Sequence, residues 1–245
     1  MPGLVPGIVV FDIASMSEAE PKRAGAFFGR RKGHALKPRQ AALFDTLLPK
    51  LALDLNAPAP SDLRSVFDDV REVRLESGFG GGEHLIAQAL AHPRTGFIGS
   101  EPFVNGMAKA LAAIEQHGLK NIRLSSGDAT HLIAWLPAGS ISRIDLLYPD
   151  PWPKRRHWKR RFVQDESLAR LSRLLRPGGE FRFASDIPGY VSWVLARAMR
   201  SDQIEWTAER ADDWRKPWPD FAGTRYEAKA KREGRVPAYL TFRRL

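Results

Sequence analysis

Val70-Arg71-Glu72-Val73-Arg74-Leu75-Glu76 runs without a break into Ser77-Gly78-Phe79-Gly80-Gly81-Gly82-Glu83-His84-Leu85. The first seven residues read as a strand, the glycines as a turn, and the residues up to about Ala91 as a helix. Strand, glycine turn and helix in that order form one unit of an open α/β sheet, and the pattern recurs downstream. Thr95 to Gly99 reads as a strand ending in Ser100-Glu101-Pro102, before a helix from Val104 to His117 that Gly118 stops. Asn121 to Ser125 is a third strand, running into Gly127-Asp128, with a short helix from His131 to Leu136 behind it. Ile141 to Tyr148 is a fourth, apolar enough for a central place in a parallel sheet.

Beyond it, Asp165 to Leu175 is amphipathic, Arg176-Pro177-Gly178-Gly179 reads as a turn, Glu180 to Ala184 alternates as a strand, and Tyr190 to Met199 reads as a helix. Ile204 to Thr207, a polar Trp-rich stretch to Asp220, a short helix from Thr224 to Arg232 and a last strand from Ala238 to Arg243 complete the chain. Nearer the N-terminus, Gln40 to Leu48 has helical spacing and Asn56 to Asp62 is a Pro/Ala loop. The alternation implies an α/β fold, a Rossmann-like doubly wound, mostly parallel sheet with helices on both faces. Residues 1–25 lack periodicity and read as a mobile arm, and 26–245 as one domain.

Glu76, Glu101, Asp128 and Asp150 each fall at or just past a strand end, at intervals of 25, 27 and 22 positions, about one βα unit apiece. Parallel strands put all such ends on one edge, so the four acids are expected around one crevice. A single acid in this place also serves as a helix N-cap, a use open to Asp128. The glycine turn selects among cofactors. Glu83 stands where a dinucleotide fingerprint has Gly or Ala, and a carboxylate there would repel a pyrophosphate. S-adenosylmethionine has no phosphate. Its amino-acid end suits the close backbone approach that Gly78, Gly80 and Gly82 permit. Its ribose hydroxyls suit Glu101, its adenine amino group Asp128, and its ammonium Glu76, which could instead support the turn. These features point to a class I methyltransferase.

Tyr148-Pro149-Asp150-Pro151-Trp152-Pro153-Lys154-Arg155-Arg156-His157-Trp158-Lys159-Arg160-Arg161 follows the fourth strand. Three prolines are expected to carry the backbone away stiff and extended, holding Asp150 at the sheet edge. Lys154 to Arg161 would meet phosphates, with Trp152 and Trp158 stacking on bases. Phe27 to Arg39 is a second cluster of cations, around an aromatic pair. A net charge of +10 favours a polyanionic partner, and the interleaved aromatics favour nucleic acid. With no cysteine, thiolate chemistry and disulfides are excluded. The six histidines show no metal-ligand spacing and read as surface or capping residues, so no metal is expected. No run is long enough to span a membrane, and the expected location is the cytoplasm.

With these motifs the chain resembles the bacterial tRNA (guanine-N7)-methyltransferases from about Arg30 to its C-terminus. The likeness rests on Leu75 to Gly82, Gly99-Ser100-Glu101, Gly127-Asp128-Ala129, Pro149 to Lys154 with Arg156-His157 and Lys159 to Arg161, Ala184-Ser185-Asp186, and Thr224-Arg225-Tyr226-Glu227. It implies cofactor contact at Glu76, Glu101, Asp128 and Asp150, with Asp150 in the catalytic position. It also implies substrate contact at Lys154, Asp186, Thr224, Arg225, Tyr226 and Glu227, a tRNA substrate, and a monomer or homodimer. Ser77, Ser100 and Arg225-Tyr226 depart from the commoner residues of that family. Two other readings of the residues stay open at this point: a class I methyltransferase acting on another RNA base, and a non-catalytic RNA-binding factor on the same fold.

Overall fold

The computed structural model describes Gly29 and residues 31–245. The expected arm, with Phe27, Phe28 and Arg30, lies outside the described residues. In chain order the elements are α1 (Pro38–Thr46), α2 (Leu48–Leu51), β1 (Glu72–Ser77), α3 (Glu83–Ala91), β2 (Thr95–Ser100), α4 (Val104–His117), β3 (Ile122–Ser125) and α5 (Ala129–Trp135). Then come β4 (Ile141–Leu147), α6 (Asp165–Leu174), β5 (Leu175–Ser185), α7 (Pro188–Ala198), β6 (Ile204–Trp206), α8 (Asp212–Arg215), α9 (Arg225–Arg232) and β7 (Ala238–Arg244).

The strands form one sheet in the order β3-β2-β1-β4-β5-β7-β6. β1 to β5 pair in parallel, whereas β7 runs antiparallel to both β5 and β6. Winding proceeds outward from β1 through β2 to β3, and in the other direction from β4 to β5. The crevice of such a sheet therefore opens at the carboxyl ends of β1 and β4. Doubly wound, mostly parallel and covered on both faces, the sheet has the architecture that the alternation implies.

Side chains alternate across each strand, and the two faces differ. On one, Val73, Leu75, Ile144, Leu146, Phe181, Phe183, Leu240 and Phe242 are buried against α5, α6 and α7. On the other, Leu85 and Ile86 of α3 and Met107 and Leu111 of α4 pack with Phe97 and Leu124. Nearer β7, Leu147, Ala184 and Tyr239 are covered by Trp218, with Phe221 beside them.

Two local expectations are corrected. Arg176 to Gly179 does not end an element: Ile141 pairs with Leu175 and Arg143 with Glu180, so these four residues bulge out of register within β5. Nor does the proline-rich stretch leave the sheet extended. Tyr148 and Trp152, each directly before a proline, have φ of 50° and 42°. Steric preference disfavours that region for such residues, at a cost of about 1–3 kcal/mol each. The hydrogen bond from Tyr148 N–H to the Ala184 carbonyl, 2.8 Å, holds the first kink against β5.

Candidate active site

β1 delivers Glu76 to the floor of the crevice, where it is buried. The chain turns through the glycines and enters α3, whose first turn folds His84 back onto it, Nδ1 to Glu76 Oε2 at 2.9 Å. Burial works against a charged imidazole here, but the charge and hydrogen bond of Glu76 outweigh it and raise the pKa of His84. The expectation that His84 is a surface or capping residue is thus wrong.

Gly78, Gly80 and Gly82 all have positive φ, as a turn that brings backbone to a ligand requires. Gly80, at φ 58°, donates its N–H to Glu101 Oε2 at 2.6 Å, tying the turn to the end of β2. Gly106 lets α4 come close: a Cβ there would lie 2.2 Å from the Gly80 carbonyl oxygen. Glu101 Oε1 also accepts from Phe103 N–H at 2.8 Å. Each carboxylate oxygen keeps a further lone pair for a ligand hydroxyl. Burial raises the pKa of Glu101, the two backbone donors lower it, and the negative fields of Asp150 and Glu76 raise it again. Asp150 and Glu76 are thus near enough to Glu101 to act on it. Asp128 caps α5, its Oδ1 accepting from Thr130 N–H at 2.9 Å, which leaves its second oxygen without that bond.

Asp150 stands at the mouth of the crevice with its surface open to water, yet the surrounding protein raises its pKa. Its loop is held from behind by Arg161. The buried guanidinium donates from Nε to the Pro151 carbonyl at 2.9 Å and from Nη1 to that of Gly189 at 3.1 Å. It also lies about 5 Å from the ring centroids of Trp158, Tyr190 and Trp193. Arg161 is therefore not a phosphate contact. Trp158, half-buried, packs edge-on against Trp193 and donates to the Pro153 carbonyl at 3.2 Å, which fixes its ring against the protein. Trp152 lies between His157 and Arg160. Lys154, Arg155, Arg156 and Lys159 are exposed beside it.

Asp186 follows the end of β5, next to the kinked end of β4. The segment of Thr224 to Glu227 crosses from the far side. Thr224 caps α9, accepting from Glu227 N–H at 3.1 Å. Arg225 pairs with Glu83 directly over Gly81, and the Tyr226 ring lies over Gly80. These two residues thus cover the glycine turn from above. Burial raises the pKa of the Tyr226 hydroxyl, with Glu101 and Asp150 contributing in the same direction. Glu227 is buried, accepting from the Tyr239 hydroxyl and pairing with Lys231 at 2.6 Å.

The segment before α9 is anchored beneath the crevice. Buried Arg143 donates from Nε to Asp145 at 2.9 Å, from Nη1 to Asp220 at 2.7 Å and from Nη2 to Gln88 Oε1 at 2.6 Å. Arg182 donates to the other oxygen of Asp220 at 2.7 Å, and Gln88 Nε2 to the Asp220 carbonyl at 2.6 Å. Phe221, the next residue, packs against the His84 ring at 5.4 Å between centroids. A continuous chain of polar contacts therefore joins β4, β5, α3 and the strap that leads to Thr224. Among the described residues, no group of three or more His, Asp and Glu side chains is placed to hold a metal ion, and no helix is long and apolar enough to cross a membrane.

A family model described as "Putative methyltransferase" matches residues 70–239, which include β1 to β5 and the whole crevice. A tRNA (guanine-N(7)-)-methyltransferase of Rhodopseudomonas palustris (strain HaA2) is 64% identical over 221 residues, spanning 90% of this chain and 86% of that protein. One from Agrobacterium fabrum (strain C58) is 58% identical over 229 residues, spanning 93% and 99%. The chain belongs to the tRNA (guanine-N7)-methyltransferase family. Among solved structures, the 16S rRNA methyltransferase KamB matches with a TM-score of 0.53 over 74% of this chain and 90% of that one, at 20% identity, a likeness of fold alone.

Several residues of this methyltransferase carry the site without having stood out in the sequence. His84 carried one signal, a place eight residues after Glu76 in the first helical turn beyond a tight loop. Arg143 and Asp145 carried none, and Arg161 stood out only as one more cation of the basic stretch, because the partners that give them meaning come together only in the fold.

Proposed function

We propose that the chain methylates N7 of a guanine in tRNA, with S-adenosylmethionine as the donor, and that Asp150 and Asp186 face the guanine. The observation that carries this reading is the acidic crevice at the β1/β4 switch. Glu76, Glu101 and Asp150 lie near enough for their negative fields to add at Glu101, beside a turn whose backbone a ligand can approach. Such surplus negative charge favours a ligand that brings cations. The site fits the donor: Glu101 has lone pairs left for the ribose hydroxyls, Gly78 has open space around it for the amino-acid end, and Glu76 stands just before it for the ammonium. Asp128, though a cap, keeps an oxygen for the adenine amino group.

When bound, S-adenosylmethionine supplies an electrophilic methyl group on a sulfonium sulfur. Guanine N7 has an in-plane lone pair and no proton, so this chain needs no general base. Its task is to orient, and orientation alone can lower a barrier by about 7–11 kcal/mol. Asp186 accepts from the N1–H and exocyclic amine of guanine, while the negative field of Asp150 offsets the positive charge that the ring gains. Tyr226 and Arg225 close the turn above. Lys154 and its exposed basic neighbours hold RNA phosphates. The net charge of +10 supports a polyanionic substrate. The same reading takes the enzyme as cytoplasmic, as a monomer or homodimer, and with residues 26–245 acting as one domain.

Replacement of Asp150 by Asn should lower kcat by about 10²- to 10³-fold while tRNA binding stays within about twofold, since one exposed carboxylate makes little of the RNA contact. Methyl incorporation and filter binding measure the two. Digestion of the product should yield 7-methylguanosine. Full turnover in Asp150→Asn would remove Asp150 from the mechanism, and a different methylated nucleoside would overturn the substrate assignment.

A further inference from the structure

Asp186 does not face the crevice alone. After α9 the chain reverses at Gly234, with φ 71°, and brings Arg235 back across the end of β5. Arg235 donates from Nε to Asp186 Oδ2 and from Nη1 to Glu233. A guanidinium offers neighbouring N–H donors in one plane. So does the Watson–Crick edge of guanine, whose N1–H and amino group belong to the same nitrogen–carbon–nitrogen fragment. Arg235 thus occupies on Asp186 the place that the base's edge would take.

Beside this pair lies an open recess of about 410 Å³ whose lining includes Arg215, Pro217, Lys231, Arg235, Pro237 and Tyr239. Three of its eight lining residues are cations. Lys231 reaches it from Glu227, and Arg215 from the Trp214 ring, 4.9 Å away. The wall suits a phosphodiester, with charge on one side and rigid proline and tyrosine surfaces on the other. Arg235 belongs to both places, since it lines the recess and holds Asp186.

We propose that Arg235 is a specificity gate that covers Asp186 until a guanine edge displaces it, and then turns into the recess to bind, with Arg215 and Lys231, a backbone phosphate of the same RNA. The inference rests on the reading of Asp186 as an acceptor for guanine. The exchange costs little: Asp186 gives up the Nε–H of Arg235 for the donors of the base, and Arg235 gives up Asp186 and Glu233 for a phosphate. The Arg235 side chain is 37% exposed, so the ion pair it leaves is of the partly solvated kind that contributes only a few-fold to an equilibrium. Adenine presents an acceptor at N1 and cannot replace the donors, so it leaves the gate shut.

The test uses the full chain with two probes, guanosine and bulk tRNA, and compares wild type with Arg235→Gln. Guanosine carries no phosphate to receive the arginine, so removing the gate should tighten its binding by roughly two- to fivefold. tRNA loses a phosphate contact, so its binding should weaken several-fold and the slope of log K against log salt should shrink by about one. Opposite signs from one substitution are what a lost structural contact does not produce. Arg235→Lys, which keeps the charge, should retain the wild-type slope. Unchanged or weaker guanosine binding in Arg235→Gln would overturn the gate, and an unchanged salt slope would overturn the phosphate site. Adding Asp186→Asn to Arg235→Gln should abolish the gain in guanosine affinity. If that gain survives, the premise about Asp186 has failed.

Discussion

The two faces of the central sheet solve different problems. Beneath α5, α6 and α7 the strands present a mainly apolar surface, from Val73 on β1 to Phe242 on β7, with no charged side chain in that cluster. Beneath α3 and the strap before α9 the same strands present Glu76, Arg143, Asp145 and Arg182, met by His84, Gln88 and Asp220. Apolar burial is strong and has no preferred direction, so it holds the layers together without fixing their positions closely. Charged hydrogen bonds add little net stability once desolvation is counted, but they are satisfied in one geometry. The polar face lies directly under the crevice, where a small error in the height of Thr224 to Glu227 above Gly80 would spoil the site. Stability and placement are thus carried by opposite sides of the same strands.

The contrast breaks first on the apolar side. Phe183 is fully buried and packs edge-on with Tyr190 at 5.2 Å. Phe183→Ala should cost about 3–5 kcal/mol in unfolding free energy, read from denaturant titration. The folded fraction should nonetheless keep near-normal affinity for S-adenosylmethionine. A lost affinity at unchanged stability would reverse the roles assigned to the two faces.

On the polar side the expected balance is the opposite. Asp220→Asn weakens the partners of Arg143 and Arg182 and should cost about 1–3 kcal/mol, less than a fully buried pair because Asp220 is 32% exposed. The larger effect should be on turnover, as the strap loosens over the turn. The pH dependence has a definite sign. Burial raises the carboxyl of Asp220, but Arg182 and Arg143 outweigh this and hold it well below the usual carboxylate range. Its stabilisation is therefore present above the unfolded value of about 4 and is lost as pH falls toward the folded one. Wild type should lose stability across that acid window, and Asp220→Asn should flatten the slope. An unaltered acid limb would mean that the clamp contributes nothing.

The same division explains what could be read from the sequence. The apolar face was legible because periodicity records burial. The helix Val104–His117 with its Gly118 stop coincides with the expected one, whereas β5 begins at Leu175 rather than at the expected Glu180, because the bulge at Arg176 to Gly179 hides its start. The acids at strand ends were legible because parallel topology fixes where such ends lie. The polar face was not: Arg143 finds Gln88 55 residues away and Asp220 77 residues away, and no local pattern encodes either meeting. Arg161 looked like one more cation in a basic run, since its burial depends on a cage that includes Tyr190 and Trp193 of α7. The kinks at Tyr148 and Trp152 run against the preference that proline imposes, so local steric rules predicted the reverse.

The smallest effect, and the one that tests the contrast most finely, lies at His84. Glu76 and His84 are both buried, 2.9 Å apart, and burial alone would neutralise the imidazole. The attraction of Glu76 prevails, so the folded pKa lies above the unfolded value of about 6.5. A group raised in this way stabilises fully below its unfolded pKa and ceases to do so as pH rises through its folded one. His84→Gln keeps a hydrogen-bond donor for Glu76 but removes the charge, which should cost about 1 kcal/mol near pH 6, the difference between a charge-assisted and a neutral hydrogen bond. The deficit should shrink as the wild type titrates toward alkaline pH, where both proteins hold Glu76 with a neutral donor. Thermal unfolding across this range reads it directly. A deficit that stays constant with pH would show that His84 is neutral in the fold. Glu76 would then carry an uncompensated negative charge beneath the glycine turn, and the attraction of the crevice for a cationic ligand would be stronger than the paired arrangement implies.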